Sequence, residues 1–191
     1  MLLPPNAGLI GERVRLRPLE EGDAASFQQW FNDAETLRWL STVGYQHSLS
    51  AEQQFVRDHH ENGWEHDVTL AIEATDQGDQ PVLVGNIVLR GLSAEHRNAE
   101  MGVTIGDAES RGQGYGKDAV RTLCRYGFED LDLHRIELTT LAYNVRAVRS
   151  YEQVGFVLEG RRREHRYKGG RYWDLLQMGL LRSEFVASAG G

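Results

Sequence analysis

A chain of 191 residues is long enough to bury a full core in one domain and short for several. With 40% hydrophobic and 26% charged residues it has ordinary globular usage, and its longest apolar runs (81–84 and 87–89) fall far below the roughly 20 residues that span a bilayer. The net charge of −7 disfavours nucleic acid as the main partner. Met1-Leu2-Leu3-Pro4-Pro5 has neither a basic nor a long apolar stretch, so no secretory signal is expected. Cys124 is the lone cysteine and cannot form an internal disulfide. A cytoplasmic protein without membrane segments is expected, with residues 1–191 forming one domain whose core runs from about 11 to 182.

Taken in chain order, Arg13 to Arg17 alternates with period two and reads as a strand stopped by Pro18. Asp23 is positioned to cap a helix with Ala24, Phe27, Trp30 and Phe31 on its apolar face. Ser50 and Gln53 have capping-box spacing and predict a second helix through Phe55 and Val56, with a loop from Thr42 to His47 before it. Val68–Ile72, Val82–Arg90 and Ala99–Ile105 read as strands, the first two separated by a polar turn. Gly102 lies inside the third and Gly106 just after it, which points to a bulge or a close approach of backbone to another group. A glycine-rich turn at 111–116 opens a helix with Ala119, Val120, Leu123 and Phe128 inward. Arg135–Ala142 alternates as a strand. Asn144 opens a further helix with Ala147, Val148, Tyr151 and Val154 on one face, ended by Gly155. Phe156–Tyr167, a Lys168-Gly169-Gly170 turn and Tyr172–Leu181 predict a closing hairpin. This order implies an α/β or α+β fold around a mixed sheet rather than a doubly wound one.

Charge is unevenly spread. Residues 1–110 carry 7 basic and 18 acidic side chains, whereas 111–191 carry 14 and 10. A merely soluble surface could look like this; so could a basic half that meets an anionic cofactor and an acidic half that meets a cationic substrate. The sharpest local signal is Arg111-Gly112-Gln113-Gly114-Tyr115-Gly116-Lys117, between a strand and a helix. Closely spaced glycines let successive N–H groups face one concavity, where a helix N-terminus adds positive potential and a pyrophosphate fits. A Walker A loop is excluded because Arg111 stands where its first glycine would be and Asp118 replaces Ser/Thr. A Rossmann fingerprint is excluded because Lys117 stands at its last glycine.

What fits is Arg/Gln-x-x-Gly-x-Gly/Ala, which resembles the pyrophosphate loop of GNAT acyltransferases. About 30 residues later, Asn144 to Phe156 resembles the family's second signature, N-x-x-A-x-x-x-Y-x-x-x-G-F. Val14 to Pro18, Ala99 to Gly102, Glu159-Gly160 and Tyr172 to Asp174 are similar to the branch holding ribosomal-protein N-terminal acetyltransferases and spermidine acetyltransferases. Residues 106–110 depart from that pattern by about one extra residue.

The resemblance implies a mostly antiparallel central sheet flanked by helices, with the strands at Glu100–Ile105 and Arg135–Ala142 splayed to admit acetyl-CoA. Val103, Thr104 and Ile105, the loop residues Arg111, Gly112, Gln113, Gly114, Tyr115, Gly116 and Lys117, and Asn144, Ala147 and Ser150 are the expected cofactor-binding residues. Tyr151 matches the position that often protonates the departing sulfur; its apolar helix face also suits core packing. Asn144 also has the character of a helix cap. Glu100, beside the wedge, is the candidate base, directly or through water; pairing with Arg97 is its structural alternative. His134 could act chemically but reads as structural or exposed. No His or Cys spacing supports a metal site or thiol catalysis. Arg161–Arg163 and Arg166 read as a solvated strand face.

The expected activity is acetyl transfer from acetyl-CoA to a primary amine. Trp39, Tyr45, Trp64, Tyr167, Tyr172 and Trp173, with nearby carboxylates, suit a cationic amine. The reading leans to a protein or peptide N-terminal amine. Its alternatives are a polyamine or aminoglycoside, or a CoA-binding regulatory protein without turnover. Dimers are common in the superfamily, and no residue here establishes a homodimer.

Overall fold

The computed structural model describes residues 9–41, 46–61 and 67–189, and side chains except those of 60, 61 and 186–189. Seven strands form one sheet: β1 (Val14–Pro18), β2 (Val68–Ala74), β3 (Val82–Ser93), β4 (Asn98–Ile105), β5 (Arg135–Leu141), β6 (Val157–Lys168) and β7 (Arg171–Leu181), in the order β1-β2-β3-β4-β5-β7-β6. All neighbours are antiparallel except β4 and β5. The helices are α1 (Ala24–Asn32), α2 (Ala34–Trp39), α3 (Leu49–Glu61), α4 (Tyr115–Glu129), α5 (Val145–Val154) and α6 (Arg182–Ala189). The mixed, mostly antiparallel sheet flanked by helices matches the expected fold class.

Helices cover both faces of this sheet because its strands alternate. Leu70, Ile72, Ile87, Leu89 and Met101 point to one side and pack with Ala119, Val120 and Leu123 of α4 and Val154 of α5. Ala71 points to the other side and joins Phe27, Trp30 and Val56 of α1 and α3. Each fully buried Leu, Ile, Val, Met or Phe among them contributes about 1.5–3 kcal/mol. Arg17 donates to Asp23 at 2.8 Å and to Glu73 at 2.7 Å, tying β1 to β2 and the entry of α1. Burial alone would raise the Glu73 carboxyl, but hydrogen bonds from Arg17 and Arg15 hold it below its ordinary value.

Several local expectations change. Asp23 sits at the N-cap of α1 without capping it; its carboxylate turns back to Arg17 and to the Glu20 amide. The strong guanidinium partner outcompetes the helix amides. At α3 the cap is Ser48, whose Oγ accepts from the Ala51 amide, so the Ser50–Gln53 spacing is not the start signal. Two helices, α2 and α6, were not expected. The hairpin turn narrows to Gly169-Gly170, both with positive φ (61° and 81°), as a two-residue turn between twisted strands requires.

At Gly102, inside β4, a Cβ would meet the Arg90 guanidinium at 2.5 Å, the close approach expected of an interior strand glycine, and at Gly106, just beyond the strand, a Cβ would lie inside the Trp30 indole. Gly106→Ala is therefore expected to destabilise by about 3 kcal/mol, because neither the buried ring nor the strand end can yield cheaply. A melting temperature within about 2 °C of wild type would contradict that packing account.

Candidate active site

The parallel contact between β4 and β5 is short. Asn98, Ala99 and Glu100 pair with Arg135, Ile136 and Glu137, and pairing then stops although both strands continue, to Ile105 and Leu141. The strands thus diverge just after Glu100. A cleft of about 1350 Å³ opens there, lined by the far half of β4, the end of β5, the loop before α4, the first turns of α5, and parts of α2 and α3.

At one end of this cleft lies the glycine loop. Gly112 and Gly114 have φ of 82° and 96°, conformations that favour glycine. Gly114 is the N-cap of α4 and offers no side-chain cap. The first-turn amides are thereby left for a ligand, at the positive end of a 15-residue helix. Gly116 and Lys117 line the same end, joined by Arg146 and Arg149 of α5. Lys117 Nζ reaches Gln153 Oε1 at 3.3 Å. Arg146 and Arg149 were not singled out from the sequence, where they look like ordinary solvated helix positions.

Other loop residues are tied into the protein. Arg111 lines the cleft but is mostly enclosed: its guanidinium donates to the Ile105 and Gly106 carbonyls at 3.1 and 2.7 Å and to Thr36 Oγ1 at 2.7 Å, which fastens the end of β4 to α2. Its Nη1 is buried without a hydrogen-bond partner among the described residues and lies 3.5 Å from Glu35. The side chains of Gln113 and Tyr115 are not on the cleft wall. Arg13 donates to the Gln113 carbonyl, and the Tyr115 hydroxyl donates to Asp76 at 2.7 Å with Arg13 over its ring at 4.8 Å. These contacts anchor the loop from behind.

On α5, Asn144 caps the helix by accepting from the Ala147 amide at 3.3 Å and also faces the cleft. Ala147, Ser150 and Tyr151 line the cleft with it, as do Val103, Thr104 and Ile105. Tyr151 is 9% exposed, and its hydroxyl has no hydrogen-bond partner among the described residues. Burial pushes that phenol up to about 12. Glu100 lines the cleft where the strands part and makes no ion pair among the described residues, because Arg97 binds Asp132 at 2.7 Å instead.

Away from the loop the wall carries Glu100, which faces Arg90 in the register, and Asp67, which accepts from the neighbouring Gly91 amide at 2.8 Å, while Glu52 reaches the cleft from α3. Glu52, 4% exposed, holds His47 Nδ1 at 2.5 Å, and the His47 ring lies 5.7 Å from Phe31. Of the expected aromatics, Trp39 borders the cleft. Trp173 packs on Tyr143 at 4.2 Å in a neighbouring groove, and Tyr167 and Tyr172 stack at the exposed hairpin end. Tyr45 and Trp64 lie outside the described residues. His134 is exposed and off the cleft; Arg161 pairs with Asp174 at 3.0 Å on the exposed face of β6. Cys124 is buried, and burial pushes its thiol up. Among the described residues no three metal-ligating side chains cluster, and no helix is long and apolar enough to cross a membrane.

A family model described as an acetyltransferase (GNAT) domain matches residues 13–157. The chain belongs to the GNAT acetyltransferases. Within this family it is similar to the spermidine N(1)-acetyltransferase of Vibrio cholerae, 28% identical over 177 residues, 93% of this chain and 98% of that one. A crystal structure of spermidine N-acetyltransferase from Vibrio cholerae in complex with CoA and spermine superposes with a TM-score of 0.81, at 28% identity, covering 91% of this chain and 98% of that one. A putative ribosomal N-acetyltransferase of Bacillus subtilis is 35% identical, over only 54% of this chain and 56% of its own. This GNAT protein is accordingly an acetyl-CoA-dependent N-acetyltransferase.

Proposed function

We infer that the acceptor is a small polycationic amine of the polyamine class, acetylated by direct attack in the cleft, with the chain working as one domain. The observation that carries this reading is the segregation of charge within one cavity. Lys117, Arg146 and Arg149 line it with the free helix amides of the loop, and Glu52, Asp67 and Glu100 line it from α3, the start of β2 and the point where the strands part. An anionic cosubstrate and a cationic acceptor are each drawn to the groups of opposite charge. Similarity over nearly the full length to a spermidine acetyltransferase, against partial similarity to a ribosomal one, favours the polyamine over the protein N-terminal amine expected from the sequence.

The residues fit acetyl-CoA. Amides of Gly112 to Lys117 and the three cations would hold its phosphates, and the unpaired edge of β4 at Val103 and Ile105 would receive the pantetheine arm, with Asn144, Ala147 and Ser150 across from it. Bound acetyl-CoA supplies an activated acyl group and a thiolate leaving group. Glu100 takes the ammonium proton, directly or through a water, so that the amine attacks in its neutral form. Tyr151, kept protonated by burial, donates its proton where the thiolate develops.

Comparing kcat/KM for spermidine with that for a short peptide bearing a free N-terminal amine tests the acceptor class. Spermidine is expected to be favoured by about tenfold or more, since each additional charged nitrogen gains a hydrogen bond to an anionic wall. Preference for the peptide would overturn the reading.

A further inference from the structure

The cleft wall under α3 contains polar groups that the protein leaves unsatisfied. Thr69 Oγ1 on β2 and Asn86 Oδ1 on β3 are buried and have no hydrogen-bond partner among the described residues, and both residues line the cleft. Thr69 itself is 9% exposed. The register pairs Thr69 with Val88 and Ala71 with Asn86, so both side chains stand on the face that α3 covers. Leaving such groups unpaired is costly, and in most folds they find partners. Here two neighbouring strands each carry one, under a helix that contributes the buried Glu52 carboxylate to the same cavity.

Two unpaired acceptors in a cavity that the Glu52 carboxylate also lines, with Phe31 and Val88 as apolar wall, fit an alkylammonium group. Glu100 lies opposite Arg90, four residues along β3 from Asn86 and two from Val88, the partner of Thr69, which sets Asn86 roughly 13 Å and Thr69 roughly 7 Å from Glu100 along the sheet. We propose that Thr69, Asn86 and Glu52 form a subsite for the second cationic nitrogen of the acceptor, while the first is presented at Glu100. This rests on the acetyltransferase reading of the cleft and adds to it a rule of selection. An acceptor with two nitrogens separated by a long spacer bridges both sites, and a monoamine of equal length fills only one.

The test uses α,ω-diamines of increasing length and matched n-alkylmonoamines with acetyl-CoA. Wild type is expected to favour the longer diamines over the matched monoamines by about tenfold or more in kcat/KM. Thr69→Val and Asn86→Leu should each remove most of that ratio while changing monoamine kcat/KM by less than about threefold. Equal loss with both amines, or a wild type that does not distinguish them, overturns the subsite. Calorimetric titration of the same diamines into the CoA complex of wild type and Asn86→Leu reads the subsite without turnover. If no amine is acetylated yet diamines bind about tenfold more weakly to the variant, the subsite stands and the acceptor assignment falls. Equal affinity for both proteins overturns the subsite by itself.

Discussion

Tyr151→Phe is expected to lower kcat by about 10²–10⁴-fold while the KM for acetyl-CoA changes by less than about threefold. The hydroxyl is what this substitution removes, and among the described residues it has no partner to lose. The variant should therefore melt no lower than wild type, because no protein hydrogen bond is broken and an apolar ring edge takes the hydroxyl's place on the cleft wall. The ring keeps its T-shaped contact with Phe156, 6.0 Å between centroids, so packing is preserved. The sign of the pH dependence follows from the burial of the phenol. A phenol titrating at about 12 stays protonated, and thus able to donate, throughout the range below that value. The kcat profile of wild type should consequently lack a descending limb near pH 10, the ordinary phenol value of about 10. A kcat within about threefold of wild type would return Tyr151 to a packing role on the face it shares with Val154.

Gly114→Trp is expected to weaken acetyl-CoA binding by about 100-fold or more. Gly114 combines φ of 96° with the N-cap position of α4, and its Cβ direction has only the Arg13 guanidinium nearby, at 3.5 Å. A large side chain there is strained at that φ and presses on Arg13, which holds the loop from behind, so the helix amides are turned from a phosphate. Loss of two charge-assisted hydrogen bonds at about 1.5–3 kcal/mol each accounts for that magnitude. Calorimetry of acetyl-CoA against the variant, with a thermal melt to establish folding, reads the effect. Affinity within about threefold of wild type in a folded variant would mean that the loop is only a strand-to-helix turn.

The sequence made the loop and the α5 signature legible because both depend on local spacing. Glycines at 112 and 114 declare a backbone conformation, and Asn144 with Tyr151 declares one face of a short helix. The splay of β4 and β5 was legible only through resemblance, since each strand alone carries an ordinary period-two pattern. Arg111 shows how much of a motif residue's setting is tertiary: its partners at Thr36, Ile105 and Gly106 include one 75 residues away, and only the fold brings them together. The six-residue α2 is too short to display a helical period, although Asp33, which accepts from the Thr36 amide at 2.8 Å, was a usable cap signal. At α6, Phe185 packs on Phe128 at 5.4 Å, and eight residues are too few to display a clear apolar stripe. The proposed amine subsite was the least legible, because Thr69 and Asn86 sit inside strands whose other residues announce only β structure. Their burial without partners is a property of the assembled sheet.

The central claim is that acetyl-CoA lies in the gap where β4 leaves β5. Backbone hydrogen exchange, followed residue by residue with and without acetyl-CoA, tests it directly. The expected result is slowed exchange at the amides of Val103 or Ile105 and across Gly112 to Lys117, with little change on the β1–β2 pair at the far edge of the sheet. Binding without protection along β4, or protection confined to another part of the surface, would contradict the account.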